Sequence, residues 1–208
     1  MTFAQDERHA LVDSMTERGA DAPTLCGEWR NRDLAAHLIL RERRLDAAAG
    51  ILVPKLAGRT ERIQAEIAAR PWSRLLDEVR SGPPVWSPLR WIDSLANTGE
   101  MFVHHEDVRR AHSGWEPRRL GQDAQKALWS LAKGVARHGY RKAAVRVVLE
   151  RPSGDNIVVG ARDADESVVL RAEPSELLLH AFGRDETMVQ PSGEPDAVAA
   201  VLALDRGV

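Results

Sequence analysis

Between Asp6 and Arg18 the apolar residues Ala10, Leu11 and Met15 recur at helical spacing, and the pattern stops at Gly19, which predicts a first helix. The segment "GADAPTLCGEW" (19–29) reads as a loop. Asn31 is then a good N-cap, and Asp33 lies in the first turn, where a negative charge meets the positive end of the helix dipole. The second helix is expected to run to about Ala49, with Leu34, Leu38 and Leu45 on one side. A third helical stretch covers Thr60 to Arg80 and is interrupted at Pro71. "SGPPVWSP" (81–88) is a rigid connector, because its prolines cannot donate inside a helix. Pro88 suits the first position of a long helix ending near His112, ahead of Ser113-Gly114. Another helix fits Asp123 to His138. Helices joined by such loops imply a bundle.

After Tyr140 the period changes. "AAVRVVLE", "NIVVGA" and "SVVLRA" are short valine-rich runs separated by the turn chemistries "RPSGD" and "RDADE", and they predict a small antiparallel sheet. "PSELLLHAFGR" (174–184) is a helix with proline at its start and Gly183 at its end, and "EPDAVAAVLAL" (194–204) is a last helix. The expectation is an α+β chain, with a helical bundle over residues 1–138 and a small α/β domain over 139–208. A tail of that size is marginal alone by surface-to-volume scaling.

Composition narrows the function classes. The 208 residues are 43% hydrophobic, enough for a core, and carry a net charge of −2, so no basic excess exists to displace counterions from nucleic acid. Local clusters such as "RERR" (41–44) are interleaved with acids and read as a solvated face. No apolar run is long enough to span a membrane. The first residues, "MTFAQDERHALVDSM", carry acids where a signal peptide has a basic end and an apolar stretch. The lone Cys26 allows no internal disulfide and fits a reducing, cytoplasmic setting.

The candidate chemistry lies in "GEMFVHHEDVRR" (99–110). Glu100 and His104 are four apart, so on a helix they project from one face, toward the edge of the apolar arc of Ile92, Leu95, Gly99 and Val103. Carboxylate and imidazole are both good ligands for a divalent first-row metal. His105 points roughly 100° away and is a poorer partner. The same spacing recurs at Glu176 and His180, where no third ligand is near in sequence, and an ordinary helix pair is the better reading there. A third ligand has to come from another helix, and His37 in "DLAAHLIL" is the candidate, against the plainer reading of a hydrogen-bonded core histidine. Asp33 is placed to hold its second ring nitrogen, and Asp107 to support the Glu100–His104 side. Two histidines and one glutamate leave a tetrahedral metal one open position, as catalytic zinc sites have.

These residues carry a resemblance. "PTLCGEWRNRDLAAHL" (23–38) and "GEMFVHHEDVRR" resemble the signatures of the actinobacterial branch of the DinB-like metal-binding proteins, the group that includes the mycothiol-dependent maleylpyruvate isomerases. The resemblance implies a DinB-like four-helix bundle followed by a small sterol-carrier-protein-like α/β domain, whose Leu-rich helix closes with Gly-Arg in "ELLLHAFGR". It implies His37, Glu100 and His104 as ligands of a divalent metal, zinc being the expected one, and mycothiol as cosubstrate. Arg184 is similar to an arginine that meets an acidic substrate, although its place just past a helix end equally suits capping of the last carbonyls. The doubled "HH" and the extended "HHEDVRRAHSGWEPR" resemble a subgroup of unknown reaction, and the doubling leaves a ligand swap to His105 open.

The expected function is therefore that of a thiol transferase or isomerase, in which the metal activates a small-molecule thiol toward an electrophilic substrate. The alternative is a non-catalytic metal- or ligand-binding module, which a fourth protein ligand would favour; homodimerisation stays open. Cys26 reads as a small buried hydrophobe before it reads as a nucleophile. Trp72, Trp86 and Trp91 either wall a pocket or pack, and His9, His112 and His138 are expected at the surface.

Overall fold

The computed structural model describes residues 2–44, 46, 57–85 and 94–207, with side chains from residue 97 onward in the last stretch. Among the described residues, the helices are α1 (Phe3–Arg18), α2 (Asn31–Arg43), α3 (Ala57–Ala68), α4 (Trp72–Ser81), α5 (Ser94–Arg110), α6 (Gln122–Gly139), α7 (Pro174–Ala181) and α8 (Pro195–Leu202). The strands are β1 (Arg146–Glu150), β2 (Asn156–Gly160), β3 (Ser167–Arg171) and β4 (Gln190–Ser192). Among the described residues, no helix is long and apolar enough to cross a membrane.

Two compact units are present, Met1–Trp115 and Glu116–Val208. In the first, α1 begins in a capping box: Thr2 Oγ1 accepts from the Gln5 amide and Gln5 Oε1 from the Thr2 amide. Helix α1 packs along α5 and against α4, while α2 packs on α3 and α4. Leu11, Val12, Met15, Leu34, Leu38, Ile39, Ile67, Leu75, Met101 and Val108 form the shared core. The expected break at Pro71 separates α3 from α4. Helix α2 ends at Arg43 with Arg44 as its C-cap, short of the expected Ala49, because Arg44 leaves helical backbone geometry; Pro88, Trp86, Trp91 and Ile92 lie outside the described residues.

Asn31 is not the cap of α2 but its first residue; Arg30 is the N-cap. The Asn31 side chain instead donates to the Gly19 carbonyl at 2.8 Å, tying the loop back to the end of α1. Asp33 Oδ2 accepts from the Arg30 amide at 3.0 Å. It therefore satisfies an orphan donor at the helix start and does not hold His37.

The second unit contains α6, which was expected to belong to the bundle, so the division falls after Trp115 and not after residue 138. The reason is packing: α6 buries Leu128, Trp129, Ala132 and Ala136, and it runs along α7 and touches β2. At Gly139 an added Cβ would lie 2.5 Å from the Ala181 carbonyl oxygen, so only glycine allows this close approach. The sheet is mixed, in the order β2-β1-β3-β4, with β1 parallel to β3 and the other two pairs antiparallel. The expectation of a purely antiparallel sheet fails because the link after β2 passes beyond β1 to its far edge, so β3 runs with β1. Strand β4 was not foreseen; all three residues of its "QPS" are exposed, and it sits at the sheet edge, where Pro191 can omit a ladder donor.

A buried polar cluster closes this unit. Tyr140 Oη lies 2.5 Å from His180 Nδ1, and Arg206 donates to the carbonyls of His180, Val201, Leu202 and Leu204. Glu176, the other half of the repeated Glu/His spacing, accepts from the Met188 amide at 2.9 Å. Burial first, and the Arg206 charge second, lower the His180 pKa from 6.5 to about 4. The stability this neutral histidine contributes is complete above 6.5 and is lost as pH falls toward 4, where the unfolded chain binds the extra proton. Urea unfolding across that interval should show a loss on the order of 2 kcal/mol, flattened in His180→Gln; parallel profiles for the two proteins would disprove the assignment.

Candidate metal centre

Helix α5 is buried on almost every side along its second half: Met101, Phe102, Val103, His105, Glu106, Asp107, Val108 and Arg110 are all inside. Each polar member needs a partner. His105 finds two on α1, with Nδ1 2.9 Å from Glu7 Oε2 and Nε2 3.2 Å from Ser14 Oγ. Both of its ring nitrogens are thereby engaged on the α1 side, and His105 is in neither group of side chains close enough to share a metal. Glu106 accepts from Arg109 at 3.0 Å and from Arg110 at 2.6 Å, and Arg110 lies 4.4 Å above the Trp115 ring. Glu106 is thus committed to the end of its own helix.

Glu100 and His104 face α2. Ligand atoms of His37, Glu100 and His104 all lie within 4.8 Å of one another. The His37 and His104 rings are 5.8 Å apart, centroid to centroid, and Trp29 packs 5.0 Å from His37. His104 Nδ1 is 3.0 Å from Asp107 Oδ2, one turn along the same helix. With Nδ1 so engaged, Nε2 is the atom His104 would bring to a metal, the usual arrangement of a ligating histidine held by a carboxylate.

The loop before α2 is built against this place. Asp107 is in the last turn of α5, where carbonyls lack helical partners, and its C=O accepts from the Leu25 amide at 3.1 Å. Thr24 Oγ1 donates to the Trp29 carbonyl at 2.8 Å and accepts from the Cys26 amide at 3.1 Å. These bonds set the Cys26 thiol 3.0 Å from Asp107 Oδ2, to which it donates, and 3.8 Å from His104 Nδ1. Cys26, His104 and Asp107 form a second group of metal-capable atoms sharing His104 with the first. Cys26 also packs on the hydrophobic core, so the packing reading and the chemical one meet in the same residue. The sequence signal for this was the tight "TLCGEW" turn, whose approach to α5 no spacing rule reveals.

Electrostatics favour neutral imidazole. Burial, then the nearby His104 and Arg41, lower the His37 pKa from 6.5 to about 3, while hydrogen bonding to the Gln64 side chain opposes this. Gln64, not Asp33, is therefore the side chain beside His37. Burial raises the Glu100 pKa, and the Arg41 charge works against that rise. Glu100 Oε2 is buried without a hydrogen-bond partner although Arg41 forms an ion pair with it; the two touch as charges outside hydrogen-bond geometry. Two imidazoles and one carboxylate within reach of one another fit a divalent first-row metal.

No protein-family model matches the chain, and no curated protein does. Among solved structures, the crystal structure of the mycothiol-dependent maleylpyruvate isomerase matches with a TM-score of 0.61 at 14% identity, over 91% of this chain and 90% of that one. In fold, the chain is similar to that isomerase. At this identity the likeness concerns the α+β fold alone. Arg184 lies in the second unit, past the end of α7, and donates to the Phe182 carbonyl at 2.8 Å. Of the other expected surface histidines, His138 is exposed, while His112 has a buried Nε2 without a hydrogen-bond partner and a pKa lowered by burial.

Proposed function

We propose that the chain is a metal-dependent thiol transferase or isomerase, with zinc at His37, Glu100 and His104 and mycothiol as cosubstrate, acting on an electrophilic small molecule. The observation that carries this reading is the convergence of those three ligand atoms within 4.8 Å; the fold shared with a mycothiol-dependent enzyme supports it. A bound divalent metal would supply a Lewis acid that keeps a thiol deprotonated at neutral pH. His37 and His104 offer imidazole nitrogens, Asp107 orients His104, and Glu100 contributes the carboxylate. The side chains of Glu100 and Arg41 are 13% and 24% exposed, which leaves the place reachable by a small molecule.

In the same reading the first unit is a DinB-like four-helix bundle and the second a sterol-carrier-protein-like domain, in a cytoplasmic protein without nucleic-acid or membrane partners. Arg184 enters by resemblance as the residue that meets an acidic substrate group. Its observed contact with Phe182 is the capping one.

Cys26 favours the second reading, a binding module whose metal is held by protein ligands alone, because Cys26, His104 and Asp107 bring a second set of ligand atoms together on the Nδ1 side of the His104 ring. Cobalt substitution separates the two. A thiolate-to-cobalt charge-transfer band that appears only on adding mycothiol is the expected result for the enzyme. A band present without added thiol and abolished in Cys26→Ser would establish the binding module instead.

A further inference from the structure

Helix α2 presents His37 and Arg41 one turn apart, and α5 presents Glu100 and His104 in the same way. The two pairs face each other, His37 beside His104 and Arg41 beside Glu100. Among the described residues Glu100 is the acid that Arg41 is paired with. The neighbouring charges are already committed: Glu42 receives both Arg8 Nη atoms, and Arg43 donates to the Glu78 carbonyl, Ser81 Oγ and the Gly82 carbonyl. Arg41 Nη1 and Glu100 Oε2 are both buried and make no hydrogen bond.

We propose that Arg41 is an exchangeable counter-ion of the metal site: it holds Glu100 in the absence of metal, and it binds a carboxylate of the electrophilic substrate when Glu100 becomes a ligand. This rests on the metal reading above. A carboxylate cannot serve a dication and keep an undiminished pairing with a guanidinium, so ligation by Glu100 leaves Arg41 as an unbalanced cation in a partly buried place. Leaving one member of such a pair alone is costly, and a new anion removes the cost. Arg41 already faces a carboxylate in Glu100, and its planar fork matches such a group in two parallel bonds. Metal and carboxylate then bind with positive coupling, which must be reciprocal.

Zinc affinity of the full-length protein, measured against a chelator dye at constant ionic strength, tests this without any assay of turnover. The probes are zinc alone, and zinc with acetate, 2-mercaptoethanol, 2-mercaptoethanol plus acetate, or 3-mercaptopropionate. In the wild type a carboxylate should tighten zinc about tenfold beyond its carboxylate-free counterpart. Arg41→Gln should bind zinc alone about tenfold more tightly, since a competing cation is gone, and should lose the carboxylate effect. Arg41→Lys, which keeps the charge without the fork, should retain a smaller carboxylate effect.

A gain from acetate added to 2-mercaptoethanol assigns the carboxylate to the electrophile. A gain confined to 3-mercaptopropionate would overturn the assignment to the electrophile, because it requires a thiol that itself bears a carboxylate. Unchanged zinc affinity and an unchanged carboxylate effect in Arg41→Gln would overturn the role of Arg41 while leaving the metal site standing. Absence of zinc binding in the wild type and in both variants would overturn the metal reading itself.

Discussion

His37→Ala and Glu100→Ala are each expected to lower zinc affinity by at least about a hundredfold, against a wild type carrying about one metal per chain. The two residues come from different helices, α2 and α5, so loss in both variants ties the helices to one ion. Elemental analysis after dialysis reads the outcome, with far-ultraviolet circular dichroism to confirm folding. His105→Ala is the decisive control. Its ring is held by Glu7 and Ser14, so that variant should keep its metal while losing about 1–3 kcal/mol of stability with these two buried hydrogen bonds. Metal retained in His37→Ala, or lost as fully in His105→Ala as in His37→Ala, would refute the ligand set.

Arg206→Ala should destabilise the second unit by about 3–5 kcal/mol. The side chain is 1% exposed and donates to four carbonyls at the ends of α7 and α8, with Asp185 as its ion-pair partner. Removing it takes a donor from each of those carbonyls, leaves a void, and takes away a charge that helps keep His180 neutral. Asp185→Ala provides the contrast. Its side chain is 78% exposed, where an ion pair contributes about 0–1 kcal/mol, so that variant should unfold close to the wild type. Urea denaturation of both proteins compares them directly; an Arg206→Ala midpoint matching that of Asp185→Ala would mean the carbonyls are satisfied some other way.

Much of the helix content was legible because its signals are local. Gly19, Pro71 and Gly183 mark ends that steric and hydrogen-bond rules place without any knowledge of neighbours. The Glu100–His104 pairing is equally local, since the helical period alone puts the two on one face. His37 was less secure, because sequence can say that it faces inward but not what it faces. Nothing in "HH" reveals that His105 answers to Glu7, nearly the length of the unit away in sequence. The parallel β1–β3 pairing was likewise invisible, since valine-rich runs look alike whichever edge they join.

The sequence by itself determined the helical and strand periods, the single cysteine, the near-neutral charge and three side chains able to bind a metal. Tertiary structure decided which of the competing ligands meet. It turned His105 to α1, drew Cys26 and Asp107 to His104, set Arg41 against Glu100 and assigned α6 to the second unit. The physical reason is that secondary structure follows from interactions a few residues apart. Partner choice for a buried polar group depends instead on which chain segments packing brings within about 3 Å of it.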